Sequence, residues 1–149
     1  MKHVLIGLLL WISQNSAFQS VPQSAIPELH VVPQTALTRL IYQDNLLARL
    51  TAKELQELES DVAALYDHEH NRVYVAANID LHSAYGNSVL VHELVHFLQF
   101  NHGKNEQAAC VSALEGDAYR IQAKYMQAHG LVPEFDEFTI RIRSTCYLD

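Results

Sequence analysis

From Ser88 to Phe100 the chain carries a run in which Leu90, Val91, Leu94, Val95, Phe97 and Leu98 surround His92, Glu93 and His96. A helix with that pattern is apolar on most of its surface, so a globular fold has to bury it. Two histidines and a carboxylate inside a buried helix are costly unless something pairs with them. Their spacing points to the partner. A helix turns by ~100° per residue, so positions four apart lie ~40° apart on one face. His92 and His96 can therefore offer two imidazole nitrogens to one metal ion. Glu93 sits on the flank of that pair, where it can reach a water beside the metal without ligating the metal itself. The His-Glu-x-x-His pattern is that of zinc hydrolytic centres, in which zinc brings a water close to a pKa of ~7 and a neighbouring carboxylate takes its proton. Such a centre needs a third protein ligand.

Three residues compete for that place. Glu115 lies on an expected helix from Glu106 to His129, stopped by Gly130 and Pro133. The 18 residues from 97 to 114 suffice to end one helix, turn, and return antiparallel beside it. The inner face of the second helix is expected at Leu114, Ala118, Ile121 and Tyr125, one turn from Glu115. Asp117 is rotated from Glu115 by ~200°, so both cannot face one ion. His102 has the offset from His96 found in three-histidine zinc centres, but that class turns its chain at a glycine. Gln99 stands there, and Gly103 follows His102 too late to help. Glu115 is the expected ligand; His102 and Asp117 are its rivals.

A net charge of −7 disfavours nucleic acid and anionic membrane surfaces as partners. Residues 1–17 read as a secretory leader: Lys2 and His3, then the apolar run Val4 to Ile12, then Asn15-Ser16-Ala17. Cleavage is expected after Ala17, leaving a single domain at 18–149, exported to the periplasm or beyond and without a stable membrane insertion. In an oxidising compartment the two cysteines, Cys110 and Cys146, are expected to pair. Zinc ligation by these thiols is the rival reading, but neither belongs to a Cys-x-x-Cys pair.

The remainder reads as a mainly helical α+β domain. Phe18 to Pro33 is an extended lead-in, and Thr35 to Arg49 a helix. Thr51 with Glu54 is a capping-box signature for a helix from Ala52, with Leu55 and Leu58 inward. Asp61 to Tyr66 and Arg72 to Ala76 read as a β-hairpin, its tip carrying His68 and His70 in solvent; prolongation of the preceding helix is the rival reading of the first segment. Ala77 to Asn87 is a loop, with Asn87 or Ser88 capping the central helix. Pro133 to Arg143 partly fits both helix and strand patterns, and a short helix is the expectation.

His92-Glu93-Leu94-Val95-His96 followed by Glu115-Gly116-Asp117-Ala118-Tyr119 resembles the gluzincin-type zinc peptidases, which carry the third ligand as a Glu, often in an E-x-x-A setting, on the next helix. The run from Val91 to Gln99, then Cys110, then Glu115 to Gln122, is similar to small exported bacterial domains of unknown function bearing an H-E-L-V-H-x-L-Q motif. The likeness covers about residues 62 to 126. It implies a pair of antiparallel active-site helices, zinc on His92, His96 and Glu115, and Glu93 as general base in hydrolysis of a peptide or protein substrate. It also implies an edge strand that binds substrate by main-chain hydrogen bonds, for which Arg72 to Ala76 is the candidate. Many gluzincins carry an Asp four residues after the ligand Glu; here that residue is Tyr119. An oxyanion donor is also required, with Tyr74, Tyr85, Tyr119, His82 and His129 as candidates. The competing class is a secreted binding or structural protein in which zinc is only a staple.

Overall fold

The computed structural model describes residues 2–42 and 47–146. Helix α1 (Lys2–Asn15) buries Leu5, Leu8, Leu9 and Ile12 at helical spacing. Trp11 meets Tyr125 edge-on at 5.0 Å, and Lys124 Nζ donates to the Asn15 carbonyl at 2.8 Å. The expected cleavage point, after Ala17, falls in the link that follows this helix. The lead-in is extended, but not idle. Its segment between Pro27 and Pro33 is strand β1 (Glu28–Val32). Helix α2 (Gln34–Ile41) ends where Tyr42 turns extended, short of the expected Arg49; residues 43–46 of that expectation lie outside the described residues. Helix α3 (Ala52–Asp61) starts with the expected capping box: Thr51 Oγ1 accepts from Glu54 N–H, and the Glu54 carboxylate accepts from Thr51 N–H. Leu55 is half-buried, and the Leu58 side chain lies outside what is described.

Strands β2 (Ala64–Asp67) and β3 (Arg72–Ala76) form the expected antiparallel hairpin. The first strand begins three residues late because α3 runs through Asp61. At the tip Asn71 takes φ 50°, a left-handed conformation that asparagine tolerates better than most residues. It is held there by Tyr66 Oη donating to its Oδ1 and by its own amide donating to the Ala25 carbonyl. β1 pairs in parallel with β3, giving the order β1-β3-β2. β3 is therefore central, and both its edges are taken.

The stretch around His92 is helix α4 (Ala84–Asn101), with Val91, Leu94, Val95 and Leu98 buried against Val73, Val75, Ala118 and Tyr125. It begins earlier than Asn87. Ser83 is the cap, accepting from Gly86 N–H at 2.9 Å. Gly86 sits in the first turn with no room for a Cβ, which would run into the Asp80 carbonyl. After one turn, α5 (Lys104–Gln107), come a 3-10 turn at Val111–Leu114 and helix α6 (Glu115–Ala128). The expected helix from Glu106 to His129 is thus broken. Ala108 and Cys110 are extended, and Cys110 is drawn to the far end of the chain by a disulfide to Cys146. Helix α7 (Glu137–Ser144), capped by Asp136, then packs back on α6. The fold is a mainly helical α+β domain, as the sequence reading expects, with its main core around α4 and a small second cluster of Leu37, Val62 and Ala76.

The Cys110–Cys146 bridge closes a loop across 36 positions. In the chain-entropy account such closure constrains the unfolded chain by roughly 3–4 kcal/mol. Reduction should lower the melting temperature by about 10 °C. Thermal melts with and without reductant, alongside Cys146→Ser, check this; coincident melts would remove the bridge as a contributor to stability.

Candidate metal centre

Helices α4 and α6 lie side by side in opposite directions. His92 contacts Gln122, His96 contacts Glu115, and Gln99 contacts the Leu114 carbonyl, so the numbering falls on α6 as it rises on α4. Three donors converge between them. His96 Nε2 is 2.8 Å from Glu115 Oε1, His92 Nε2 is 3.2 Å from Glu115 Oε2, and the two Nε2 atoms are 3.2 Å apart. These residues form a group able to hold a metal ion. The fit can be tested on the distances. An ion bound at ~2.0–2.1 Å to each donor in tetrahedral geometry would set them about 3.3 Å apart, within a few tenths of an ångström of two of the three separations.

The other ring nitrogens fit as well. His92 Nδ1 lies 2.9 Å from Gln122 Oε1, and His96 Nδ1 lies 2.9 Å from Gln99 Oε1. The Gln99 amide cannot turn round, because its Nε2 donates to the Leu114 carbonyl at 2.8 Å. Its oxygen therefore accepts, Nδ1 of His96 carries a hydrogen, and Nε2 is the nitrogen turned toward the other donors. Fixing a ligand histidine through its second nitrogen is how such rings are oriented for a metal.

The metal-free cluster is strongly polarised. Burial disfavours charge on His96, but the hydrogen bond to Glu115 and the carboxylates of Glu93 and Glu115 outweigh it and raise its pKa to about 9. Burial likewise opposes the charged form of Glu115, yet hydrogen bonds from His92 and His96 hold its carboxyl well below the usual range. A neutral-pH proton thus occupies the place of the cation, and metal uptake has to displace it.

Glu93 is buried on the flank of α4 and reaches the sheet: its Oε2 accepts from Tyr66 N–H at 2.8 Å. That amide is free to do so because of the ladder. Ala76 N–H bonds the Ala63 carbonyl, and bonded pairs alternate in an antiparallel ladder. With the observed register, Leu65–Tyr74 and Asp67–Arg72 are bonded pairs, and the main-chain groups of Ala64 and Tyr66 face outward. They face a cleft of about 960 Å³ whose lining includes His92, Glu93, His96 and Glu115. The strand edge beside the cluster is therefore β2. Arg72 to Ala76, the expected docking strand, is ruled out because β1 and β2 saturate both its edges.

Of the residues singled out in sequence, His102 lies exposed at the end of α4, stacked on Phe18. α4 runs on through Gln99 to Asn101, so His102 does not return toward His96. Asp117 is exposed on the outer side of α6. His68 stacks on Phe100 at 4.4 Å at the cleft edge, and His70 pairs with Asp67 in the tip. The absent Asp is replaced in an unexpected way: Tyr119 sets its ring edge on His92, and Gln122 supplies the hydrogen bond. Gln99 and Gln122 went unread as partners of the histidines. Gln99 had a signal, being an amide within the apolar run of the helix three residues after His96.

Among the described residues, no helix is long and apolar enough to cross a membrane. Fold and site together define a helical α+β domain carrying a two-histidine, one-glutamate cluster at the floor of an open cleft. The chain belongs to a family of domains of unknown function, DUF6647, whose model matches residues 1–149. No curated protein and no solved structure matches it.

Proposed function

We propose that this chain is an exported zinc peptidase of the gluzincin type. The observation that carries the proposal is the convergence of His92, His96 and Glu115 in a cleft that Glu93 and the free edge of β2 also line. Three protein donors facing an open cleft suit a catalytic zinc, whereas a structural zinc is closed by four. Zinc, when bound, supplies Lewis acidity, drawing electron density from a carbonyl oxygen and making water acidic near neutral pH. The protein's own groups do the rest. An extended peptide laid along β2 would bond the outward groups of Ala64 and Tyr66, as an added strand does. Glu93 has one oxygen fixed by Tyr66 N–H. Its other oxygen is left to take the proton of the attacking water and pass it to the leaving amine.

Elemental analysis of purified protein should find one zinc per chain. The zinc-loaded protein should cleave members of a mixed peptide library, lose that activity to a chelator, and regain it with zinc. A protein that holds zinc, melts lower when stripped, and cleaves nothing would refute the peptidase reading in favour of the staple. A protein that neither contains nor takes up zinc would refute both.

A further inference from the structure

Tyr119 and Arg143 lie together on the α6 side of the same cleft. The ring of Tyr119 is wedged edge-on between His92, at 4.6 Å, and Phe135, at 4.9 Å. Its Oη accepts from Arg143 Nη1 at 2.9 Å, and the guanidinium carbon lies 5.1 Å from the ring centre. A phenol has one hydrogen to give, and a guanidinium accepts none. The Tyr119 hydrogen is therefore turned away from Arg143, and among the described residues no acceptor takes it. Tyr119 lines the cleft in which the three metal donors stand, with its ring against the metal donor His92.

Among the described residues Arg143 has no carboxylate within ion-pair distance, whereas its neighbours Arg120 and Arg141 both face Glu137. Its place is set by its helix. α7 is clipped to α6 by the Arg120–Glu137 pair at 2.8 Å and by Ser144 against Gly116, and two residues past α7 lies Cys146 of the disulfide.

We infer that Tyr119 O–H is the oxyanion donor of this centre, hydrogen-bonding an oxygen held beside the metal donors, and that Arg143 is the positioning residue that aims it. The inference rests on the metal-site reading above. Tyr74, His82 and His129 do not line the cleft. Tyr85 does, but it lies seven residues before His92 on α4, about 10 Å along the axis. A donor aimed where negative charge develops contributes on the order of 10²–10³ in rate.

The test uses the zinc-loaded full chain and two readouts. Tyr119→Phe keeps the ring that packs on His92 and Phe135, so zinc content and melting temperature should stay. Its kcat on a cleaved library peptide should fall about 10²-fold with KM within about threefold. Its affinity for phenylphosphonate, a tetrahedral oxyanion that needs no turnover, should weaken about tenfold. Arg143→Leu should lower kcat about tenfold with little change in KM, and Arg143→Lys should recover part of the loss. Phosphonate binding decides the role of Tyr119, and turnover decides the peptidase reading. Wild-type protein that binds phosphonate in a Tyr119-dependent way but cleaves no peptide supports the donor and sinks the peptidase. Tyr119→Phe that binds phosphonate as tightly as wild type, or wild type that binds none, overturns the inference.

Discussion

Glu115→Ala should empty the metal site. His92, His96 and Glu115 are the three donors, 2.8–3.2 Å apart, and among the described residues no other His, Cys, Asp or Glu joins the group. Loss of an outer partner of a metal ligand typically costs 10–100-fold in affinity. Loss of a ligand itself, leaving two histidines and water, should cost about 10³-fold or more. His102→Ala and Asp117→Ala should bind zinc like wild type, because both side chains are exposed and neither approaches the histidine pair. The measurement is zinc affinity by chelator competition on the three variants side by side. Removing Glu115 also leaves two partly buried imidazoles without their carboxylate, so Glu115→Gln serves as the shape-preserving control for folding. If His102→Ala were the variant that lost zinc, α4 would have to break at Gln99 in solution, and the placement of α6 beside it would be wrong.

How far these features could be read from residues alone depended on how local their causes are. The helix around His92 is local: its apolar surface and its four-residue histidine spacing are written in adjacent residues. Glu115 was reachable because the intervening length permits only a short return, and the apolar spacing of Leu114, Ala118 and Tyr125 sets which side faces back. The break before Glu115 was not reachable by periodicity. It comes from Cys110, extended and tied to a residue 36 positions away. β1 was hidden for the same reason. Glu28–Val32 gains its role only by pairing with β3, more than 40 residues on, and that pairing moves the free edge from Arg72–Ala76 to β2. The cap at Ser83 was missed because its mark is the close approach of Gly86 to Asp80, a contact between backbones rather than a residue pattern. Gln122 shows a third kind of blindness. On α6 it reads as an ordinary helix former, and it becomes a partner of His92 only when the two helices meet.

Glu93→Gln should leave zinc bound and the fold intact while peptide hydrolysis falls by roughly 10² or more. The structure shows why glutamine is the informative choice. Glu93 Oε2 accepts the Tyr66 amide, and through it α4 holds the outer edge of β2. Alanine would strip that amide of its partner in a half-buried place, at a cost of about 1–3 kcal/mol, and would confound a lost base with a displaced strand. The glutamine oxygen can still accept from Tyr66 N–H. Its other terminus then becomes an NH₂, which donates but cannot take a proton from water. Zinc content and melting temperature should match wild type, and kcat should carry the loss. Two other results are informative. Full turnover in Glu93→Gln would confine Glu93 to tethering β2, leaving the metal cluster without its base. Lost turnover together with lost zinc would mean that the Glu93 charge beside His96, and not its bond to Tyr66, is what the metal site needs. In that case the role of Glu93 would be read from zinc affinity instead of from rate.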